Sequence, residues 1–143
     1  MRSLRHAGIV VRDLARVSEF YEQVLGLRVV TRQRENGPFL DAILGLDGGD
    51  VTTVKMAAAE GETTIELLCF DSHDDHRPPA EPFSTGPTHI AFTVDDLMAD
   101  YERLSVEGVE FTTPPRRSPD GSALVTFCRD PEGNLIELVE VTS

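Results

Sequence analysis

The sequence predicts an α+β chain built from two tandem β-α-β-β-β modules, and three observations carry that prediction. The chain repeats itself weakly at an offset of 83 residues, which lays His6 on His89 and Asp13 on Asp96. Each aspartate is followed by apolar residues at the three- and four-residue spacing of a helix. Each repeat then closes with the same strand sequence, Ile-Glu-Leu.

Composition limits the class of protein. The 143 residues are 40% hydrophobic and 27% charged, which is enough apolar material for one folded domain of two small halves. A net charge of −12 disfavours nucleic acid, and no apolar run reaches the roughly 20 residues of a membrane span. The expected partner is a small molecule, and the expected location is the cytoplasm. Cys69 and Cys128 lie in apolar segments without CxxC spacing, so we expect reduced core residues.

The first module is predicted over residues 1–70. His6 opens its first strand, Asp13 fits a helix N-cap, and Gly26 fits the left-handed residue that ends a helix. Three β-type runs then complete the module: Leu27–Thr31, Val51–Ala57 and Thr63–Phe70.

The second module is predicted over 88–143, after a linker at 71–87 that holds four prolines. Asp96 and Gly108 bound its helix in the same way. Its later strands are predicted at Val109–Thr112, Ala123–Arg129 and Asn134–Val141, with a tight turn at 130–134.

The two halves differ around residues 33–50, where the first carries about a dozen additional residues. The apolar run at 39–46 fits a strand, a short helix or a flap, and the pattern does not separate these. An insertion that borders a site is a candidate substrate-selective element, and an elaborated hairpin is the alternative.

Glu66 and Glu137 occupy the middle of the two Ile-Glu-Leu strands. An ionised carboxylate in a half-buried strand costs several kcal/mol unless something compensates it, and two equivalent cases call for a common cause. A divalent cation shared with His6 and His89 would supply the compensation. Two imidazoles and two carboxylates suit a borderline or hard ion.

Two further clusters are weaker candidates. His73 and His76 lie in the proline-rich linker, where a solvated loop is the favoured interpretation. Arg116 and Arg117 could meet a substrate carboxylate or phosphate, although an exposed arginine pair is the default interpretation.

Several of these motifs together resemble the vicinal oxygen chelate superfamily, over nearly the whole chain. They are the paired histidine and glutamate of each half, the Asp-Leu helix start, the passage from Phe20 to Leu27, and the closing sequence Asp-Pro-Glu-Gly-Asn-Leu-Ile-Glu-Leu at 130–138. The superfamily includes glyoxalase I, methylmalonyl-CoA epimerase, extradiol dioxygenases and bleomycin resistance proteins. The resemblance implies two modules whose curved sheets enclose a metal-binding cavity.

The resemblance also implies a site. His6, Glu66, His89 and Glu137 correspond to the four protein ligands of a divalent ion, which would be Zn, Ni, Co, Mn or Fe. The implied function is that of a metal-dependent lyase or isomerase, including epimerases, that moves a proton on a substrate chelated through vicinal oxygens. Glu137 is the implied catalytic base and Glu66 the second candidate. Such chains usually form homodimers, and the site lies within one subunit or across two.

Two other functions in the superfamily stay open. An Fe(II) extradiol-type dioxygenase would use His6, His89 and Glu137, and a small-molecule binding or resistance protein would need no ligand set. For glyoxalase I itself, the resemblance implies an arginine and an asparagine that hold glutathione. Val10 and Phe70 stand at those positions. Losing one charge-assisted contact costs about 1.5–3 kcal/mol, so glutathione is not the expected substrate.

Overall fold

The computed structural model describes residues 2–74 and 77–142. The chain divides into two compact units, Met1–Arg77 and Pro78–Ser143, and the division falls within the predicted linker at 71–87. We call them the first and second module, and each is described by itself. Among the helices of the described residues, none has the length and apolar character needed to cross a membrane.

The first module is one mixed sheet of four strands with two helices. Its order along the chain is β1 (His6–Val10), α1 (Leu14–Glu19, continued by a π-helical turn at Phe20–Val24), β2 (Arg28–Asn36), α2 (Pro38–Leu44), β3 (Asp50–Ala57) and β4 (Thr64–Phe70). The strands lie side by side in the order β1-β4-β3-β2. β1 runs parallel to β4, and the other neighbours are antiparallel.

The second module repeats that topology. Its elements are β5 (His89–Thr93), α3 (Leu97–Val106), β6 (Arg116–Arg117), β7 (Ala123–Arg129) and β8 (Leu135–Val141). The sheet order is β5-β8-β7-β6, with β5 parallel to β8 and antiparallel pairs elsewhere. The predicted α+β class, with two tandem β-α-β-β-β modules, is therefore confirmed.

One face of each sheet is apolar and lies against its helix. In the first module, Val54 pairs with Leu67 and Met56 with Ile65, and all four side chains are buried. Since successive strand residues point to opposite faces, the residues between them lie on the other face. The helix α1 contacts β4 and buries apolar side chains of its own, including Tyr21. The other face of each sheet carries one glutamate in the middle of a strand, Glu66 in the first module and Glu137 in the second.

Both predicted helix starts are confirmed. The Asp13 carboxylate accepts a hydrogen bond from the Arg16 backbone N–H at 3.0 Å, and Asp96 accepts one from Ala99 at 2.9 Å. These contacts satisfy N–H groups that have no partner within a helix. The first helix differs from a plain α-helix because it widens into a π-turn, for which the sequence pattern gives no signal.

The residues at 33–50 form a longer strand and a short helix. β2 continues to Asn36, and α2 then begins with Pro38, whose fixed φ suits a first helical position. Gly45 ends α2 with a φ of +65°, a value that a side-chain-bearing residue rarely adopts. The structure therefore selects the helix among the three alternatives.

The strand predicted at Val109–Thr112 was wrong in its extent. Only Phe111 pairs there among the described residues, through a single bridge to Cys128, and the edge strand of the sheet is β6. The prolines at 114 and 115 explain the shift, because they lack the N–H that a strand ladder uses. Phe111 instead packs on Tyr101 of α3, with ring centroids 4.8 Å apart.

A strand glutamate caps the helix of the second module. The Glu140 carboxylate, on β8, accepts a hydrogen bond from the Leu97 backbone N–H at 2.8 Å. Because negative charge is favourable at a helix N-terminus, we expect Glu140→Ala to lower the free energy of unfolding by about 1 kcal/mol. Urea unfolding followed by circular dichroism measures this. Glu140→Gln keeps an acceptor and should lose less, so equal stability of all three proteins would contradict the prediction.

Candidate metal centre

In the first module, one histidine and one glutamate are in contact on the face of the sheet opposite helix α1. His6 begins β1 and Glu66 lies in the middle of β4. The His6 Nε2 lies 3.1 Å from Glu66 Oε2, and the glutamate side chain is only 13% exposed. Two side chains that are 60 positions apart in the sequence are therefore in contact.

The second module makes the same contact. His89 begins β5, Glu137 lies in the middle of β8, and Nε2 and Oε2 are 3.4 Å apart. The strand register explains the equivalence. Gly8 is opposite Glu66 and Ala91 is opposite Glu137, and the histidine precedes that residue by two positions in both cases. A two-residue step returns to the same face of a sheet, so each histidine faces its glutamate.

The surroundings of the two pairs differ. Lys55 is opposite Glu66 on β3, and its Nζ lies 3.3 Å from Glu66 Oε1. Phe127 holds the corresponding place opposite Glu137 on β7, and its ring packs edge-on against His89 at 5.2 Å. The sequence motifs did not single out Lys55. The signal that could have found it is that Lys55 is the only lysine in the chain, since the other twelve basic residues are arginines.

The model of the glyoxalase/bleomycin resistance protein/dioxygenase superfamily matches residues 3–138. The chain belongs to this superfamily. This confirms the resemblance read from the sequence motifs.

Relatives within the superfamily cover nearly the whole chain. A lactoylglutathione lyase of Pseudomonas aeruginosa is 30% identical over 96% of this chain and 81% of its own length. One from Haemophilus influenzae is 31% identical over 94% of this chain and 90% of its own. A solved glyoxalase family protein from Bacillus cereus, 25% identical, aligns with a TM-score of 0.87 over 100% of this chain and 96% of that one.

The donor atoms of each pair fit neighbouring ligands of a single ion. Imidazole nitrogen and carboxylate oxygen are both ligand types that a divalent ion would take. The Nε2 and Oε2 atoms lie 3.1 Å apart in the first module and 3.4 Å apart in the second. Within each module taken by itself, the described residues bring together two such donors and not three. In each module, the residues present are therefore of the types that suit the divalent ion that the superfamily implies.

The second nitrogen of each imidazole has a different environment. The Thr88 hydroxyl lies 2.9 Å from His89 Nδ1. A ligand histidine usually has such a partner, because it fixes the ring and leaves Nε2 as the donor to the metal. His6 Nδ1 is buried, and no hydrogen-bond partner for it lies among the described residues. Metal ligation through Nε2 does not explain that atom.

The weaker candidates from the sequence have structural roles or are exposed. Arg117 donates hydrogen bonds to the Gly121 carbonyl and the Thr142 hydroxyl, which hold a loop. Arg116 is exposed at the sheet edge. His73 is exposed beside Ser72, and His76 lies outside the described residues.

Both cysteines are free thiols, as expected. Cys128 is buried, and burial raises the pKa of its thiol to about 12. Cys69 is only half-buried, so the prediction of a core residue holds fully for Cys128 alone.

Proposed function

We propose that this protein is a metal-dependent lyase or isomerase of the glyoxalase type, with His6, Glu66, His89 and Glu137 as the ligands of one divalent ion. The observation that carries the proposal is the same histidine–glutamate contact, in the same strand register, in both modules. A fold alone does not require two half-buried carboxylates facing two imidazoles. The substrate is a small molecule that binds through two neighbouring oxygens.

Zn, Ni, Co, Mn or Fe(II) would suit this set of nitrogen and oxygen donors. When bound, such an ion acts as a Lewis acid that makes a C–H next to a carbonyl acidic. His6 and His89 serve only to bind, since an imidazole that ligates a metal has no lone pair left for a proton. Phe127 packs against His89, which restricts the imidazole and keeps water from one side of it.

Glu137 is the proposed base, which takes a proton from the carbon next to the carbonyl and gives it back to the substrate. Its contact with His89 engages one oxygen, Oε2. In Glu66 both oxygens are engaged, one by His6 and the other by Lys55. A carboxylate with an oxygen available is better placed to accept a proton, so Glu66 is the second candidate.

The relatives named lactoylglutathione lyase support lyase chemistry. Glutathione is not the substrate that we propose. The side chains of Val10 and Phe70 have neither the charge nor the hydrogen-bonding groups that would hold a glutathione molecule. A cytoplasmic homodimer stays our expectation for the assembly and location.

Metal analysis of the histidine variants tests the proposal. The protein is purified without chelators and its metal content is measured by mass spectrometry. We expect His6→Ala and His89→Ala each to lower metal affinity about tenfold or more, because each removes one nitrogen ligand. The matched control is His73→Ala, an exposed histidine that should leave metal content unchanged. Wild-type metal content in both site variants would rule out the shared ion.

A further inference from the structure

Lys55 is placed as a second positive charge beside the candidate metal centre. Its ammonium lies 3.3 Å from Glu66 Oε1, while His6 approaches the other oxygen of the same carboxylate at 3.1 Å. The Lys55 side chain is 32% exposed, so the ammonium is near the surface of the sheet and within reach of a ligand.

The sheet itself does not require a cation at this position. Phe127 occupies the corresponding place in the second module, opposite Glu137, in a sheet of the same order and register. The choice of lysine is also specific, because every other basic residue of this chain is an arginine. A lysine offers a compact point charge with three N–H donors, whereas arginine offers a planar fork. The shared sheet pattern therefore does not dictate the residue at this position.

The ammonium retains donors for a further acceptor. Among the described residues, Glu66 is the only partner of Lys55, and an ammonium can donate three hydrogen bonds. If Glu66 also holds a divalent ion, two positive centres share one carboxylate, and a second anion between them would be strongly favoured. A substrate carboxylate provides such an anion, and the Lys55 ammonium would donate a hydrogen bond to one of its oxygens.

We propose that Lys55 binds the carboxylate of the substrate, so that the enzyme acts on 2-oxo or 2-hydroxy carboxylates rather than on neutral diols or hydroxyketones. This inference rests on the proposed function. It explains how a chain of net charge −12 attracts an anionic substrate, because the attraction is local and does not depend on the overall field. Lys55 thereby determines specificity, and Glu137 still moves the proton.

Cobalt-loaded protein and two chelating probes test the inference. Oxalate is titrated into wild type and Lys55→Met, with the visible cobalt spectrum as the readout, and neutral lactamide is titrated in parallel. We expect Lys55→Met to weaken oxalate binding about tenfold or more, because a charge-assisted hydrogen bond is lost. Lactamide binding and cobalt content should stay at wild-type values. Lys55→Arg keeps the charge and should recover most of the oxalate affinity.

Arg32→Met is the matched control. Arg32 is opposite Val54 in the same sheet and therefore lies on the other face from Lys55. The Arg32→Met substitution changes the net charge of the chain by the same amount as Lys55→Met. Oxalate affinity should not change. A decrease equal to that of Lys55→Met would overturn the inference, since general charge would then be the cause.

The outcomes separate this inference from the proposed function. Wild-type oxalate affinity in a cobalt-loaded Lys55→Met protein overturns the role of Lys55 and leaves the metal centre intact. Loss of cobalt from Lys55→Met also overturns it, because Lys55 would then serve to hold Glu66. If the wild-type protein binds no cobalt, the proposed function itself is wrong.

A measurement on the unmodified protein covers the case in which Lys55→Met does not fold. Because the chain has one lysine, ¹⁵N-lysine labelling gives a single side-chain ammonium resonance. With zinc in place of cobalt, oxalate should shift that resonance and lactamide should not. An ammonium resonance that is unmoved by saturating oxalate would overturn the inference.

Discussion

Glu137→Gln is expected to lower the rate of proton transfer by about 10³-fold while the protein stays folded. Glutamine has nearly the same shape as glutamate, but its amide cannot accept the substrate proton, and general-base catalysis is commonly worth about 10²–10⁴-fold. It is also a weaker metal ligand, so a decrease in metal affinity should accompany the loss. Glu137 lies in the middle of β8 with a side chain 23% exposed, and we expect the substitution to leave the circular dichroism spectrum unchanged.

The measurement follows exchange of carbon-bound hydrogen for deuterium in D₂O by ¹H NMR, over a set of 2-oxo and 2-hydroxy compounds. This detects proton transfer without knowledge of the final product. Glu66→Gln should retain more activity than Glu137→Gln at saturating metal. The control is Glu102→Gln, which changes an exposed carboxylate on α3 and should exchange at the wild-type rate. Equal rates for wild type and Glu137→Gln would remove this residue from the mechanism.

Asp130→Ala is expected to lower the free energy of unfolding by about 2–3 kcal/mol. Asp130 is 5% exposed, and its carboxylate accepts hydrogen bonds from the backbone N–H groups of Glu132 and Asn134 at 2.9 Å. The Asn134 side-chain amide donates a further bond at 2.8 Å. Alanine would leave these part-buried donors without their acceptor, at about 1–3 kcal/mol for a group that loses its partner.

Urea unfolding and thermal melts measure this effect, and the melting temperature should fall by about 10 °C. Asp120 supplies the matched control, because its carboxylate also accepts several loop hydrogen bonds, from Ser118 and Ser122, but is fully exposed. Water can replace the acceptor there, so Asp120→Ala should lose much less stability. If the two alanine variants melt together, burial of the 130–134 turn is not what stabilises it.

The sequence by itself determined the duplicated β-α-β-β-β order, the helix starts and the closing turn. Asp13 and Asp96 illustrate why, because an N-cap acts on backbone N–H groups only two or three residues away. The turn at 130–134 is local in the same sense. Interactions of this short range depend on residues that are close together in the sequence. A pattern in a single sequence is therefore enough to predict them.

The candidate ligands could also be predicted from the sequence, because a carboxylate in the middle of each Ile-Glu-Leu strand violates the apolar pattern twice. The contacts between these ligands could not be predicted from the sequence. The pairing of His6 with Glu66 depends on the register between β1 and β4, and a shift of one residue would turn a side chain to the opposite face.

Only the tertiary structure decided what surrounds each glutamate. Lys55 reaches Glu66, and Phe127 takes the corresponding place beside Glu137, because β3 and β7 pair with β4 and β8 in the same register. The helix α2 and the edge strand β6 were likewise settled by packing, in segments whose apolar and proline patterns allow several conformations. Strand register and side-chain packing bring together residues that are distant in the chain. Such contacts cannot be predicted from local sequence patterns, because no interaction between neighbouring residues determines them.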